Sequence, residues 1–345
     1  MYQQMIDVDI GKSSLQIKDR TMECDSEQIE VFVKSVVRAA EGINVWEFCR
    51  LDSEKLPSFS AGAHIDLRLH NGLVRSYSLC NEQEERDRYE VAISKDAGSR
   101  GGSRFIHETL KIGDKIFISP PRNNFCLVED ARHVAFIAGG IGITPLWSMI
   151  QRLEKIGRSW EIHYSARNRH MCAFRGQLEA LELRKPGRVH FNFDQEPGGE
   201  IMNLKALVRT FANETHLYCC GPTVMLDAFV SAANEISYPA THIHVEYFRA
   251  KEVAAAEGGF TVMLARSGKR FEVHAGETIL QTLLDNNIDV PYACTEGVCG
   301  TCEVNVLEGT PDHRDAVLSP DERASNKTLM VCCSGSKSKL LVLDL

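Results

Sequence analysis

Apolar residues in this chain recur with two different periods, and the switches between them mark out its organisation. From 133 to 157, HVAFIAGGIGITPLWSMIQRLEKIG sets a continuous apolar run, Val134–Ala138, before a glycine-rich turn and an amphipathic helix. EIHYSARN (161–168) predicts a second strand, and HLYCCGP (216–222) a third that leads into the helix TVMLDAFVSAANE. Strands alternating with helices in this way predict an α/β unit. Upstream the pattern is one of strands. LPSFSAGAHIDLRL supplies strands around a proline-marked turn, RSYSL lies on a strand after Asn71-Gly72, and RFIHETL (104–110) is helical. Downstream, FTVMLARSGKRFEV (260–273) reads as two strands joined by Ser-Gly-Lys. ETILQTLLDNN (277–287) is a helix with Ile279, Leu280, Leu283 and Leu284 on one face, and CEVNVLEG and LLVLDL are strands. The small and charged residues RAKEVAAAEGG (249–259) form a linker between the last two blocks.

Composition narrows the classes. At 345 residues the chain suits two or three domains, and 43% hydrophobic with 25% charged residues is ordinary for a soluble globular protein. A net charge of −8 argues against nucleic acid as the main partner. The N-terminal segment has no apolar core of a secretory signal, and no run approaches a membrane span, so a cytoplasmic location is expected. Residues 1–28 match no motif and read as a tail, or as lying ahead of a true start at Met5 or Met22.

The cysteines change the picture most. Of the 12, Cys24, Cys49, Cys80, Cys126, Cys172, Cys219 and Cys220 are scattered or paired in ordinary sequence and read as small buried hydrophobes. The rest gather in the last 52 residues, a clustering that reads as a metal site. Zinc sites usually take two close pairs of ligands, whereas Cys294-x4-Cys299-x2-Cys302 is a triplet followed by a distant cysteine. That is the spacing of the plant-type ferredoxin loop around a 2Fe-2S cluster. Gly297 and Gly300 let backbone amides turn towards the cluster sulfurs. Residues 259–345 therefore resemble a plant-type ferredoxin with a β-grasp arrangement, and Cys332, rather than its neighbour Cys333, is the expected fourth ligand on that pattern.

A one-electron store needs a supply. Gly139-Gly140-Ile141-Gly142-Ile143-Thr144-Pro145 stands between strand and helix, where glycines admit a pyrophosphate and the helix N-terminus offers free amides. The following strand ends on Arg167 instead of the acidic residue that holds ribose in an ordinary Rossmann site, which favours the nucleotide domain of flavoprotein reductases. A flavin is expected upstream, since a hydride cannot enter a one-electron cluster directly. Arg75-Ser76-Tyr77-Ser78 and Ser99-Arg100-Gly101-Gly102-Ser103 offer arginines, hydroxyls, an aromatic ring and a glycine-rich helix start for a flavin and its phosphate. With one terminal phosphate held and no separate adenine signature, FMN is expected over FAD.

In their order, RSYS, SRGGS, GGIGITP, YCCGP, HVEYF and CTEGVCGTC resemble the phthalate dioxygenase reductase family, as does the tail DHRDAVLS…MVCCS…LVLDL. Reductase subunits of carnitine and vanillate oxygenases are similarly close. The resemblance implies a multidomain protein: an N-terminal extension (1–28), a flavin-binding antiparallel β-barrel (29–128), an α/β nicotinamide-nucleotide domain (129–250), a linker (251–258) and a C-terminal β-grasp ferredoxin domain (259–345). It implies that Arg75, Tyr77 and Ser78 hold FMN with Ser78 near its reactive nitrogen. Ala92, Ile93 and Ser94 would run along the flavin, and Arg100, Gly101, Gly102 and Ser103 would take its phosphate. Gly140, Gly142, Ile143 and Thr144 would face NADH, Cys220 would sit by the nicotinamide, and Glu246 and Phe248 would lie by the flavin, Phe248 stacking on it. Arg167 leaves room for a 2′-phosphate, although the resemblance favours NADH over NADPH. The expected activity is an NADH-dependent reductase that passes single electrons through the cluster to a Rieske-type terminal oxygenase. Its rivals are the same machine serving a haem-thiolate monooxygenase and a non-catalytic nucleotide- and cluster-binding carrier. From Phe260 to Leu345 there are 8 Lys or Arg against 12 Asp or Glu. Glu296, Glu303, Asp312 and Asp315, in or near the metal loop, are accordingly expected to form an acidic rim for transient docking on a basic partner. The charged run DHRD itself reads as a solvated turn.

Overall fold

A computed structural model describes residues 28–52, 54–96, 101–248 and 259–345; Ser99, Arg100 and the 251–258 linker lie outside the described residues, as do positions 1–27. The first sheet contains β1 (Ile29–Ala40), β2 (Ile43–Cys49), β3 (His64–Arg68), β4 (Val74–Ser78), β5 (Tyr89–Ser94) and β6 (Lys115–Ile118), with helix α1 (Gly102–Thr109) before β6. Its strands run β4-β3-β6-β1-β2-β5, all neighbours antiparallel. A bridge between Leu79 and Val91 joins the two outer strands and closes the sheet into a barrel. Trp46, Phe48, Ile65, Leu67 and Val91 fill its interior, and α1 adds Ile106 to the same core.

The second sheet is β7 (Val134–Gly139), β8 (Trp160–Ala166), β9 (Val189–Phe193), β10 (His216–Cys220) and β11 (Ile243–Glu246). Helices α2 (Ile143–Lys155), α3 (Arg175–Arg184), α4 (Leu204–Val208) and α5 (Thr223–Glu235) are interspersed among these strands. All strands are parallel, in the order β11-β10-β7-β8-β9. Every residue of β7 is buried, as a central strand covered on both faces requires. Strand order reverses at β7, so the loops after β7 and β10 open a crevice at the carboxyl ends of the strands. The two turns touch there: a Cβ on Gly142 would lie 2.2 Å from the Cys220 carbonyl oxygen.

The third sheet is built from β12 (Phe260–Leu264), β13 (Arg270–Val273), β14 (Glu303–Glu308), β16 (Thr328–Met330) and β18 (Leu340–Leu343). Helices α6 (Ile279–Asp285) and α7 (Pro320–Ser325) and the short pair β15 (Pro311–Asp312) and β17 (Gly335–Ser336) complete it. β12 runs parallel to β18, and α6 lays Ile279, Leu280 and Leu283 onto this mixed sheet, the face the sequence periodicity marks. The DHRD run is not a solvated turn. Asp315 is buried and its Oδ2 accepts from the Val317 and Leu318 amides, while the Ala316 amide donates to the Gly297 carbonyl at 2.8 Å. The turn braces the cysteine loop.

Helix α2 fastens the nucleotide sheet to the barrel. The buried Ser148 hydroxyl donates to the Asn81 carbonyl at 2.9 Å, and Gln151 Nε2 donates to the Cys80 carbonyl at 2.8 Å. Arg152 pairs with Glu129 and Glu84 at the rim. Replacing Gly142 by Ala should force the two turns apart at a cost of about 1–3 kcal/mol. The expected result is a lower thermal midpoint together with a raised KM for NADH; an unchanged midpoint would contradict the close approach.

Candidate active site

The barrel, the parallel sheet and the cysteine loop each give one wall to a single cleft of about 300 Å³. Arg75, Tyr77 and Ser78 on β4, Ala92, Ile93 and Ser94 on β5, and Ser103 on α1 form the barrel wall. Thr144 at the start of α2, with Glu246 and Phe248 at and beyond the end of β11, form the second. Cys294, Glu296 and Val298 form the third.

On the barrel side, two stretches about 25 residues apart in sequence come into contact. Gly101 caps α1 in the left-handed region (φ 97), and a Cβ on Gly102 would lie 2.7 Å from Arg75 Cγ. The guanidinium stem therefore crosses a helix start that has no side-chain cap, a cradle of amides and positive charge suited to a phosphate.

Opposite lies Glu246, the last residue of β11, paired in register with Cys220. Its Oε2 is buried without a hydrogen-bond partner. Burial pushes the carboxyl up to about 8, opposed only in part by the hydrogen bond from Ser78. Cys220 is fully buried beneath the cleft, and burial, reinforced by Glu246, raises its thiol. Gly140, Gly142 and Ile143 form the turn behind Thr144, and the Tyr164 hydroxyl donates to the Gly140 carbonyl at 3.0 Å. α2 likewise lacks a side-chain cap, leaving its first amides for an anion. Arg167 is exposed just past β8, away from the cleft walls.

The cysteine loop turns through the left-handed region at Thr295 (φ 56), Gly297 (φ 66) and Gly300 (φ 78). Cys294, Cys299, Cys302 and Cys332 are all buried and none forms a disulfide. The Cys294 thiol is lowered by hydrogen bonds from Cys299 and then Cys332, and Cys302 is lowered by Cys332. These bonds place Cys332 beside Cys294 and Cys302. Four buried thiols outside any disulfide, on the C-x4-C-x2-C loop and a distant cysteine, make a donor set that fits a two-iron, two-sulfur cluster. A Cβ on Gly297 would strike Cys333 Sγ at 2.5 Å, so glycine is needed there for space as well as for φ.

Sequence reasoning missed two residues that seat this loop. Asn124 Nδ2 donates to the Cys299 carbonyl at 3.3 Å, and buried His64, paired in register with Ser78, borders Cys294 in the cleft wall. Within AGAHIDL, His64 carries no local signal beyond that of a strand. Glu296 also differs from expectation: it lines the cleft rather than an outer rim, while Asp315 is buried and Asp312 pairs with Arg314 at 2.7 Å. Glu303, beside Cys302, is exposed.

A flavin cleft, a nucleotide crevice and a cluster loop on one chain define an iron–sulfur flavoprotein reductase. Family models agree: residues 136–231 match the oxidoreductase NAD-binding domain, and residues 262–336 the 2Fe-2S iron-sulfur cluster binding domain. The chain is 48% identical to tetrachlorobenzoquinone reductase of Sphingobium chlorophenolicum over 92% of its own length and 98% of that protein. It is 46% identical to phenoxybenzoate dioxygenase subunit beta of Ectopseudomonas oleovorans, over 92% of this chain and 97% of the other. The solved phthalate dioxygenase reductase superposes with TM-score 0.69 at 36% identity, covering 92% and 98% of the two chains. An intact type IV self-sufficient cytochrome P450 monooxygenase superposes with TM-score 0.83 at 37% identity over 92% of this chain, which spans 41% of that longer one. The chain belongs to the phthalate dioxygenase reductase family and is an NADH-dependent oxidoreductase.

Glu246 makes a pH prediction. With its carboxyl raised from 4.5 to about 8, the fold holds a proton that the unfolded chain releases. The associated stability is full below about pH 4.5 and is lost as pH rises through about 8. Relative to the native protein, Glu246→Gln should therefore gain in thermal midpoint between pH 5 and pH 8.5. Parallel melts across that range would check it, and a constant offset would contradict the raised carboxyl.

Proposed function

We propose that this chain is the reductase component of a multicomponent oxygenase, holding FMN across the three-walled cleft and a 2Fe-2S cluster in the cysteine loop. The observation that carries the reading is the cleft itself, where residues suited to a flavin, a nicotinamide nucleotide and a cluster face one another. When bound, these groups supply the redox chemistry: a hydride from NADH, a flavin that accepts two electrons and releases them singly, and a cluster that carries one.

The protein's part is positioning. Arg75 with Gly101, Gly102 and Ser103, joined by Arg100, holds the FMN phosphate at the helix start. Ala92, Ile93 and Ser94 line one edge of the ring, and Tyr77 and Phe248 supply aromatic surface. Ser78 orients Glu246, whose protonated carboxyl at neutral pH can donate a hydrogen bond into the cleft. Gly140, Gly142, Ile143 and Thr144 receive the nucleotide phosphates, and Cys220 backs the crevice from below. Cys294, Cys299, Cys302 and Cys332 hold the cluster. A carrier with no catalytic role would not need all three walls to meet.

For the acceptor, we infer a Rieske-type terminal oxygenase docked transiently, in keeping with the dioxygenase subunit among the relatives. The P450 superposition favours a haem-thiolate acceptor as a second reading.

Cys302→Ser tests the electron route. The variant should lose the cluster absorbance and cytochrome c reduction while keeping NADH-driven reduction of a flavin-accepting dye. The native protein should release FMN on acid extraction and prefer NADH to NADPH in kcat/KM. An intact cluster signal would overturn the ligand set, and an FAD peak the flavin assignment.

Docking is tested at Glu303, which is exposed beside Cys302 and is not part of the cleft. Glu303→Lys and added salt should each slow reduction of a Rieske oxygenase in stopped flow, leaving reduction of the flavin by NADH unchanged. A delivery rate indifferent to both would place docking on another face.

A further inference from the structure

The face of the parallel sheet opposite α2 carries a second group of metal-binding side chains that the electron chain does not use. Glu161 and His163 are alternate residues of β8 and so project from the same face; His190 on the edge strand β9 lies directly across from His163 in register. The imidazoles of His163 and His190 stack with centroids 4.5 Å apart. His163 Nε2 is 3.4 Å and His190 Nε2 3.8 Å from Glu161 Oε2, and the three ligand atoms all lie within 4.8 Å of one another. Ligands about 2.0–2.1 Å from a tetrahedral ion stand roughly 3.3 Å apart, so this trio is close to the required spacing without rearrangement of the backbone.

A fourth group is at hand. His133, just before β7, places its Nε2 3.1 Å from Glu161 Oε1 and has its Nδ1 2.8 Å from the Ser159 hydroxyl. A partner on the far ring nitrogen is what fixes the orientation of metal-bound histidines. Glu161 sits at the centre of the group, His133 approaching its Oε1 at 3.1 Å and His163 its Oε2 at 3.4 Å. The group lies near the amino ends of the strands, whereas the cofactor cleft is at their carboxyl ends, and none of these residues lines that cleft.

We propose that Glu161, His163 and His190 form a binding site for a divalent transition metal, zinc being the ion best matched to two imidazoles and a carboxylate, with His133 or water in the fourth position. Bound there, the ion ties the edge strand β9 to β8 and is structural or regulatory rather than part of the electron route. With the half-exposed His190 as its outermost ligand, the site is open to an ion from solution.

The test uses full-length, tag-free protein with flavin and cluster loaded, so that the cysteine thiols are occupied. Zinc alone, titrated by calorimetry, should show one saturable equivalent. Cu2+ added to the oxidised protein should give an electron paramagnetic resonance spectrum with nitrogen hyperfine coupling. His190→Ala, at an exposed position that the fold tolerates, should weaken zinc at least about tenfold and remove part of that coupling, and His133→Ala should cost about tenfold. His244→Ala, on β11, should bind like the native protein, and NADH-driven dye reduction should be unchanged in His190→Ala. Absence of a saturable equivalent, or equal zinc affinity in the native protein and His190→Ala, would overturn the site and leave Glu161 as the centre of a hydrogen-bonded cluster only.

Discussion

Everything this molecule does depends on how closely the cysteine loop is held against the barrel. Electron transfer weakens steeply with distance, so a cluster on a flexible tether would be of little use to a flavin. The contact that fixes the separation is small. Val74 of β4 packs with Ala293, Cys294, Cys299 and Val298 in one apolar cluster, and Asn124 adds a hydrogen bond to the Cys299 carbonyl. His64, across from Ser78 in register, lines the same cleft wall as Cys294. Burial of this apolar patch supplies the attraction, and the directional amide bond sets the register.

A second constraint fixes the other wall. The β7–α2 turn and the turn after β10 pass so closely that only glycine fits at position 142. That close approach draws the uncapped start of α2 to the strand ends, and Ser148 and Gln151 then lock the helix against residues 80 and 81 of the barrel. One helix thus presents its amino end to the nucleotide crevice and its flank to the flavin domain. The buried carboxyl of Glu246 is tolerated at this meeting point because protonation removes the charge that burial penalises.

Much of this was legible beforehand, and the reasons differ by element. The α5 helix begins and ends where its pattern predicts, at Thr223 and Glu235, because its periodicity is long and uninterrupted. The cysteine spacing was decisive because ligand geometry restricts spacing more tightly than packing restricts composition. The DHRD run misled because charge density resembles solvation; Asp315 instead spends its carboxylate on backbone amides of its own turn. Glu296 misled for a similar reason: acidity is visible in a sequence, but the direction in which a loop residue faces is not. The histidines and glutamate on β8 and β9 were equally invisible, since His163 and His190 become neighbours only through strand pairing.

The sequence by itself determined the three kinds of sheet, the glycine turns and the cysteine spacing of a 2Fe-2S domain, because each follows from local periodicity, backbone freedom or fixed ligand spacing. Tertiary structure alone decided that these parts share one cleft, that Cys220 lies beneath it while Glu246 lines it, and that His64 and Asn124 seat the cluster loop. Those outcomes depend on contacts between residues up to 175 positions apart, as Asn124 and Cys299 are. No local pattern encodes such contacts, because they arise from the packing of finished surfaces.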